Sequence, residues 1–139
     1  ALVFFAVLAT ILCANAFVLG FSPRRPRLFY LPLLAALALN AVVPLDAFLG
    51  LSLPVRAVAA SLLVFSPVFF AGIVFAGAFG ASRSPDRDLA ANVAGATAGG
   101  LLEYGATLLG FRGLLLVAIA LYAGAGSLPA ASPGRARPS

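Results

Sequence analysis

VRAVAASLLVFSPVFFAGIVFAGAF, residues Val55–Phe79, carries a single charge, Arg56, in an otherwise apolar run. Crossing a hydrocarbon core of about 30 Å takes roughly 20 apolar residues in a helix, so this stretch reads as a membrane-spanning helix. Ser66-Pro67 sits at its middle. An internal proline removes one backbone hydrogen bond, and neighbouring helices or a serine hydroxyl can offset the loss. A kink is therefore expected at Ser66 and Pro67, read as a packing bend in preference to a gating hinge because proline is common in membrane helices.

The whole chain agrees with that reading. Of 139 residues, 63% are apolar and 9% are charged, and mean hydropathy is +1.10. A soluble domain carries about 25% charged residues. With no His, one Cys (Cys13) and four carboxylates, the chain offers no His-based triad, no Cys/His zinc site, no CxxC pair and no intramolecular disulfide. No catalytic constellation, cofactor or metal is expected, so any enzymatic activity belongs elsewhere. The formal charge of +5 comes wholly from Arg, which in such a chain marks membrane topology rather than nucleic-acid binding. The expected partner is the lipid bilayer.

Working outward, charges and proline clusters cut the chain into about five spans of an all-α, polytopic transmembrane helix bundle. Residues 1–20 hold no charge. Ala14-Asn15-Ala16 resembles a signal cleavage site, but the missing basic flank and the apolar runs downstream favour a plain transmembrane helix. The start without Met suggests a cut from a longer polypeptide, with upstream helices or a soluble domain as partners. After the turn SPRRPR, Ser22–Arg27, a second span covers 28–43. It either kinks through Pro44 or ends there. The third span is 55–79, the fourth 89–109 and the fifth 114–128. Ser84-Pro85-Asp86 reads as the start of the fourth helix. Residues 129–139, PAASPGRARPS, read as a disordered tail, and residues 1–128 as one transmembrane domain.

Alternating spans place Arg24, Arg25, Arg27, Arg83, Arg87, Arg135 and Arg137 on one side and only Arg56 and Arg112 on the other. The positive-inside rule then makes the tail and the 22–27 and 81–88 loops cytoplasmic. The expected location is a bacterial inner membrane, crossed several times.

The fourth span holds the candidate site. Ala91, Gly95, Gly99 and Glu103 recur at i, i+4 spacing, with Asn92, Ala96, Gly100 and Tyr104 beside them. Small residues let helix backbones approach closely, so Ala91, Gly95, Gly99 and Gly100 read as a packing face and this helix as the packing centre. On that reading Gly99→Leu disrupts assembly far more than Leu108→Ala. Glu103 is the one acid inside a span, about 13 Å from its outer end at 1.5 Å per residue. Glu103, with Tyr104 and Asn92, is either an intramembrane proton or cation site or a structural acid paired with Arg112, Arg56 or an Asn. Asn15, Asn40 and Asn92 read as interhelical hydrogen-bonding groups. Tyr30 and Tyr122 read as interfacial aromatics.

The segment from Phe65 to Tyr122, above all NVAGATAGGLLEY and AGIVF with its charged loop, resembles the C-terminal membrane region of large bacterial spermidine synthase-like proteins, including those fused to a transporter-like membrane part. LALNAVVPLDAFLG, Leu37–Gly50, resembles the same region. The resemblance implies a membrane anchor or scaffold whose aminopropyltransferase-like or methyltransferase-like chemistry would lie in a soluble Rossmann-like domain not represented in these residues. It carries over no catalytic residue. Only Asn92, Gly95, Gly99, Gly100, Glu103 and Tyr104 match its membrane motif. The alternative is part of a transporter for a small cationic or amine substrate, with Glu103 as the binding acid.

Overall fold

The computed structural model describes residues 2–21, 25–80, 82 and 84–128, and among them every regular element is helical. The chain forms α1 (Leu2–Phe21), α2 (Tyr30–Val42), α3 (Leu53–Gly80), α4 (Pro85–Tyr104) and α5 (Ala106–Ser127), with short 3-10 turns at Pro26–Phe29 and Leu45–Phe48. It is a helical bundle. Three helices are long and apolar enough to cross a membrane: Phe4–Phe21, Leu53–Gly80 and Thr107–Ser127. Arg27–Val42 is apolar but shorter, and α4 does not reach the same apolarity.

Helix α2 stops at Val42 rather than bending through Pro44. Proline disfavours the helical conformation in the residue before it, and Val43 is extended at φ −82°, ψ 111°. Residues Leu45–Phe48 then form a separate turn. Between α4 and the body of α5 the helical path breaks once, at Gly110. Gly105 keeps a helical backbone at φ −70°, ψ −11°, its N–H donating to the Leu102 carbonyl and its own carbonyl accepting from the Leu109 N–H, both at 2.9 Å, so the path from α4 continues to Leu109. At Gly110 the backbone takes φ +67°, ψ 172°, which interrupts α5. Glycine adopts this left-handed region without the Cβ penalty other residues meet.

The core lies where α2 packs between α3 and α5, with α1 against α3. Leu33, Leu37 and Val74 are buried together, and Phe70, Ala71, Leu115, Ile119 and Tyr122 pack around them. On the other side of α3, Ala14 is fully buried against Gly72, and Phe17 meets Phe69 edge to face at 6.1 Å between ring centroids. Aromatic edge-to-face pairs add about 0.5–1.5 kcal/mol beyond area burial. In a bilayer, where lipid tails are as apolar as leucine, such close packing replaces the hydrophobic drive.

The seams also give the directions of the helices. Asn40 of α2 bonds Leu63 of α3, while Leu33 clusters with Val74, so α2 and α3 are antiparallel. Tyr30 pairs with Tyr122 at one end of the α2–α5 seam, and Asn40 and Arg112 border one cavity at the other. Consequently α3 ends at the end of the bundle opposite to the one where α5 begins. Helix α4 must cover that distance, and its 20 residues rise about 30 Å. From α2 onward the helices alternate as expected. Helix α1 packs on α3 through Ala14–Gly72 and Phe17–Phe69, and Phe17 also meets Phe29, just before α2, with ring centroids 6.0 Å apart.

The packing centre is α3, a correction to the expectation for the glycine-rich fourth helix. Every described side chain of α4 is exposed. A Cβ added at Gly95, Gly99 or Gly100 would meet nothing within 4 Å. Small residues permit close approach but contribute little contact area, so they hold a helix only where a partner supplies the opposing surface. Within this chain α1 and α3 have that match, in Ala14 and Gly72.

Candidate functional site

Helix α4 starts where its sequence dictates. Pro85 occupies its first turn, the Ser84 carbonyl accepts from the Arg87 and Asp88 N–H groups at 3.1 and 3.2 Å, and Asp86 and Asp88 lie at the positive end of the helix dipole. The Ser84 hydroxyl makes no capping bond; its own N–H donates instead to the Ser82 hydroxyl at 3.0 Å. The Thr97 hydroxyl donates to the Val93 carbonyl at 2.9 Å, satisfied within its own helix.

The sequence-defined site residues fall in different places. Glu103 lies two residues before Gly105, on the helical path that continues to Leu109 and breaks at Gly110. Glu103, Tyr104 and Thr107 line one shallow depression, and Tyr104 is 83% exposed. Arg112 borders a different cavity with Asn40 and Asp46. Asn92 turns toward α3, where it borders hollows shared with Phe75 and Ala78. Ala91 lines the second of these hollows. Arg25, Arg27 and Arg87 are exposed. Arg24, Arg83 and the 129–139 tail lie outside the described residues. Among the described residues, no group of three His, Cys, Asp or Glu side chains is placed to hold a metal.

Two polar arrangements emerge that sequence reasoning did not assemble. The first surrounds Pro67, which lies inside a continuous α3. Lacking an N–H, Pro67 leaves the carbonyl four residues earlier, that of Leu63, without its helical donor. The Asn40 amide donates to this carbonyl at 2.7 Å from the neighbouring helix and also to Ala36 of its own helix at 2.9 Å. The Ser66 hydroxyl donates to the same Leu63 carbonyl at 2.9 Å. The signal for this was present as one amide in an apolar helix and one proline in another; their shared level was not.

The second arrangement is a groove of ≈ 690 Å³ between α4 and the rest of the bundle, with Tyr30, Tyr122 and Asn92 on its wall. Tyr30 and Tyr122 stand edge to face, with ring centroids 6.5 Å apart. Both are half-buried. Neither hydroxyl has a hydrogen-bond partner among the described residues, and no side-chain polar atom there is both sealed from the surface and unpartnered, so neither hydroxyl is sealed from the surface.

No protein-family model, curated protein or solved structure matches the chain.

Proposed function

We propose that the chain is the membrane anchor and scaffold of a larger bacterial inner-membrane protein of the spermidine synthase-like type, without catalysis of its own. The observation that carries this reading is the placement of apolar surface. The long helices turn large side chains outward, Phe5 at 74% exposure, Leu19 at 83% and Leu108 at 92%, while the helices join through narrow seams between α1 and α3, α2 and α3, and α2 and α5. An exterior of that kind is suited to lipid. The similarity of residues 65–122 and 37–50 to the membrane region of spermidine synthase-like proteins supports the finer assignment.

In this reading the end of the bundle holding Arg25, Arg27 and Arg87 faces the cytoplasm, following the positive-inside rule, and the C-terminus lies on the same side. The exposure of Glu103, in a shallow depression lined with Tyr104 and Thr107, favours an anchor over a transporter, whose binding acid would face a bundle interior or water-filled path. The discriminating variant is Glu103→Gln. An anchor retains its membrane location and leaves the activity of its partner enzyme within twofold of the parent. Loss of proton- or amine-coupled uptake in vesicles on the same substitution would overturn the assignment in favour of transport.

A further inference from the structure

Resting on the placement of the bundle in a bilayer, we infer that the groove between α4 and the bundle is a binding site for an anionic phospholipid. Its volume, ≈ 690 Å³, lies within the 300–1,000 Å³ typical of ligand sites. Val68, Ala71 and Phe75 make an apolar wall that suits an acyl chain, and Tyr30, Tyr122 and Asn92 add hydrogen-bonding groups. Apolar lining alone selects nothing in a bilayer, since lipid tails are equally well placed against any helix. Selection therefore depends on the polar groups. The tyrosine hydroxyls and the Asn92 amide are donors matched to the ester and phosphate oxygens of a glycerophospholipid, and none of them has a partner among the described residues.

Charge supplies the headgroup preference. Among the described residues, Arg25 and Arg27 lead into Tyr30, and Arg87, flanked by Asp86 and Asp88, precedes Asn92 by five residues. All three arginines are exposed at the end of the bundle where the tyrosines lie, a net positive balance against the two Asp, of which Asp88 borders the adjoining hollow. Basic pockets between membrane helices attract anionic headgroups for the same reason. The assigned pose runs the acyl chain along α3 and sets the phosphate and ester oxygens against the two tyrosines.

The test uses the full chain in vesicles of phosphatidylcholine and phosphatidylglycerol at about 3:1, with photoactivatable diazirine analogues of each lipid and adducts mapped by mass spectrometry. The phosphatidylglycerol probe is expected to label residues 67–78 and 118–122 several-fold more than the phosphatidylcholine probe. Removing one hydroxyl, in Tyr30→Phe or Tyr122→Phe, lowers that labelling about threefold, the weight of one hydrogen bond in a membrane, and leaves labelling around Leu108 unchanged. Ala78→Phe, which projects a ring into the groove from an exposed position, lowers it independently of the tyrosines. Equal labelling by both probes, unmoved by the variants, overturns the site and leaves only unselective boundary lipid. Cross-links from the groove to another polypeptide overturn it in favour of a docked helix. Absence of labelling at Leu108 as well overturns the bilayer placement itself, which separates that failure from a failure of the groove alone.

Discussion

Gly72→Leu is expected to separate α1 from α3 and to lower the stability of the bundle in mild detergent by about 1–3 kcal/mol, the usual cost of overpacking a fitted interface. A Cβ at position 72 would lie 2.8 Å from the Cβ of Ala14, closer than two such atoms can approach, and Ala14 is itself fully buried. Neither atom is the end of a flexible side chain, so the helices themselves must move. The same substitution at Gly99 meets nothing within 4 Å and should change stability by no more than about 0.5 kcal/mol. Thermal unfolding followed by circular dichroism reads both. The exchange Gly72→Ala with Ala14→Gly, which moves the methyl group from one helix to the other, should recover much of what Gly72→Ala alone loses. Equal costs at Gly72 and Gly99 would mean that the α1–α3 seam is not the tight contact described.

Asn40→Leu should cost about 1 kcal/mol, within the range measured for side-chain hydrogen bonds between membrane helices, and the cost should depend on a residue of another helix. With Asn40 gone, the Leu63 carbonyl keeps only the Ser66 hydroxyl as donor. In a Pro67→Ala background the backbone N–H of residue 67 is restored and can reach that carbonyl directly, as in any uninterrupted helix. The penalty of Asn40→Leu should then fall toward zero. The double-mutant cycle isolates this coupling, and additive costs would show that Asn40 stabilises the bundle through something other than the carbonyl freed by proline.

The two variants mark the line between what residue order reveals and what it conceals. Membrane residence and helical class follow from apolar runs of known length, because satisfying every backbone group in lipid leaves few alternatives to the helix. The start of α4 at Pro85 is legible because Pro and acidic residues in a first turn act locally. The end of α2 at Val42 follows from Pro44 once the competing continuation is discarded, and only the extended Val43 decides that.

The site residues divide differently. The helical path that carries Glu103 passes through Gly105 and breaks at Gly110, so its distance from that end can be read from spacing. Spacing does not reveal that the Glu103 side chain is exposed within this chain, because that depends on which helices lie against its face. The Gly95-xxx-Gly99 pattern likewise identifies a face able to approach another helix, but not whether one is there. Gly72, which has the closest neighbour along the α1–α3 seam, belongs to no repeated glycine pattern with its partner, since that partner is Ala14.

By itself, the order of residues determined that this chain is helical, that it is built for lipid, and that its positive charge collects in the segments flanking α2 and α4, because each of these depends on composition and on local backbone chemistry. The tertiary structure alone decided which helix forms the centre, that Asn40 completes the hydrogen bonding at Pro67, and that Tyr30, Tyr122 and Asn92 share one groove. Those pairings join residues 23 to 92 positions apart, and their distances depend on how helices cross, which periodicity within any one helix does not encode.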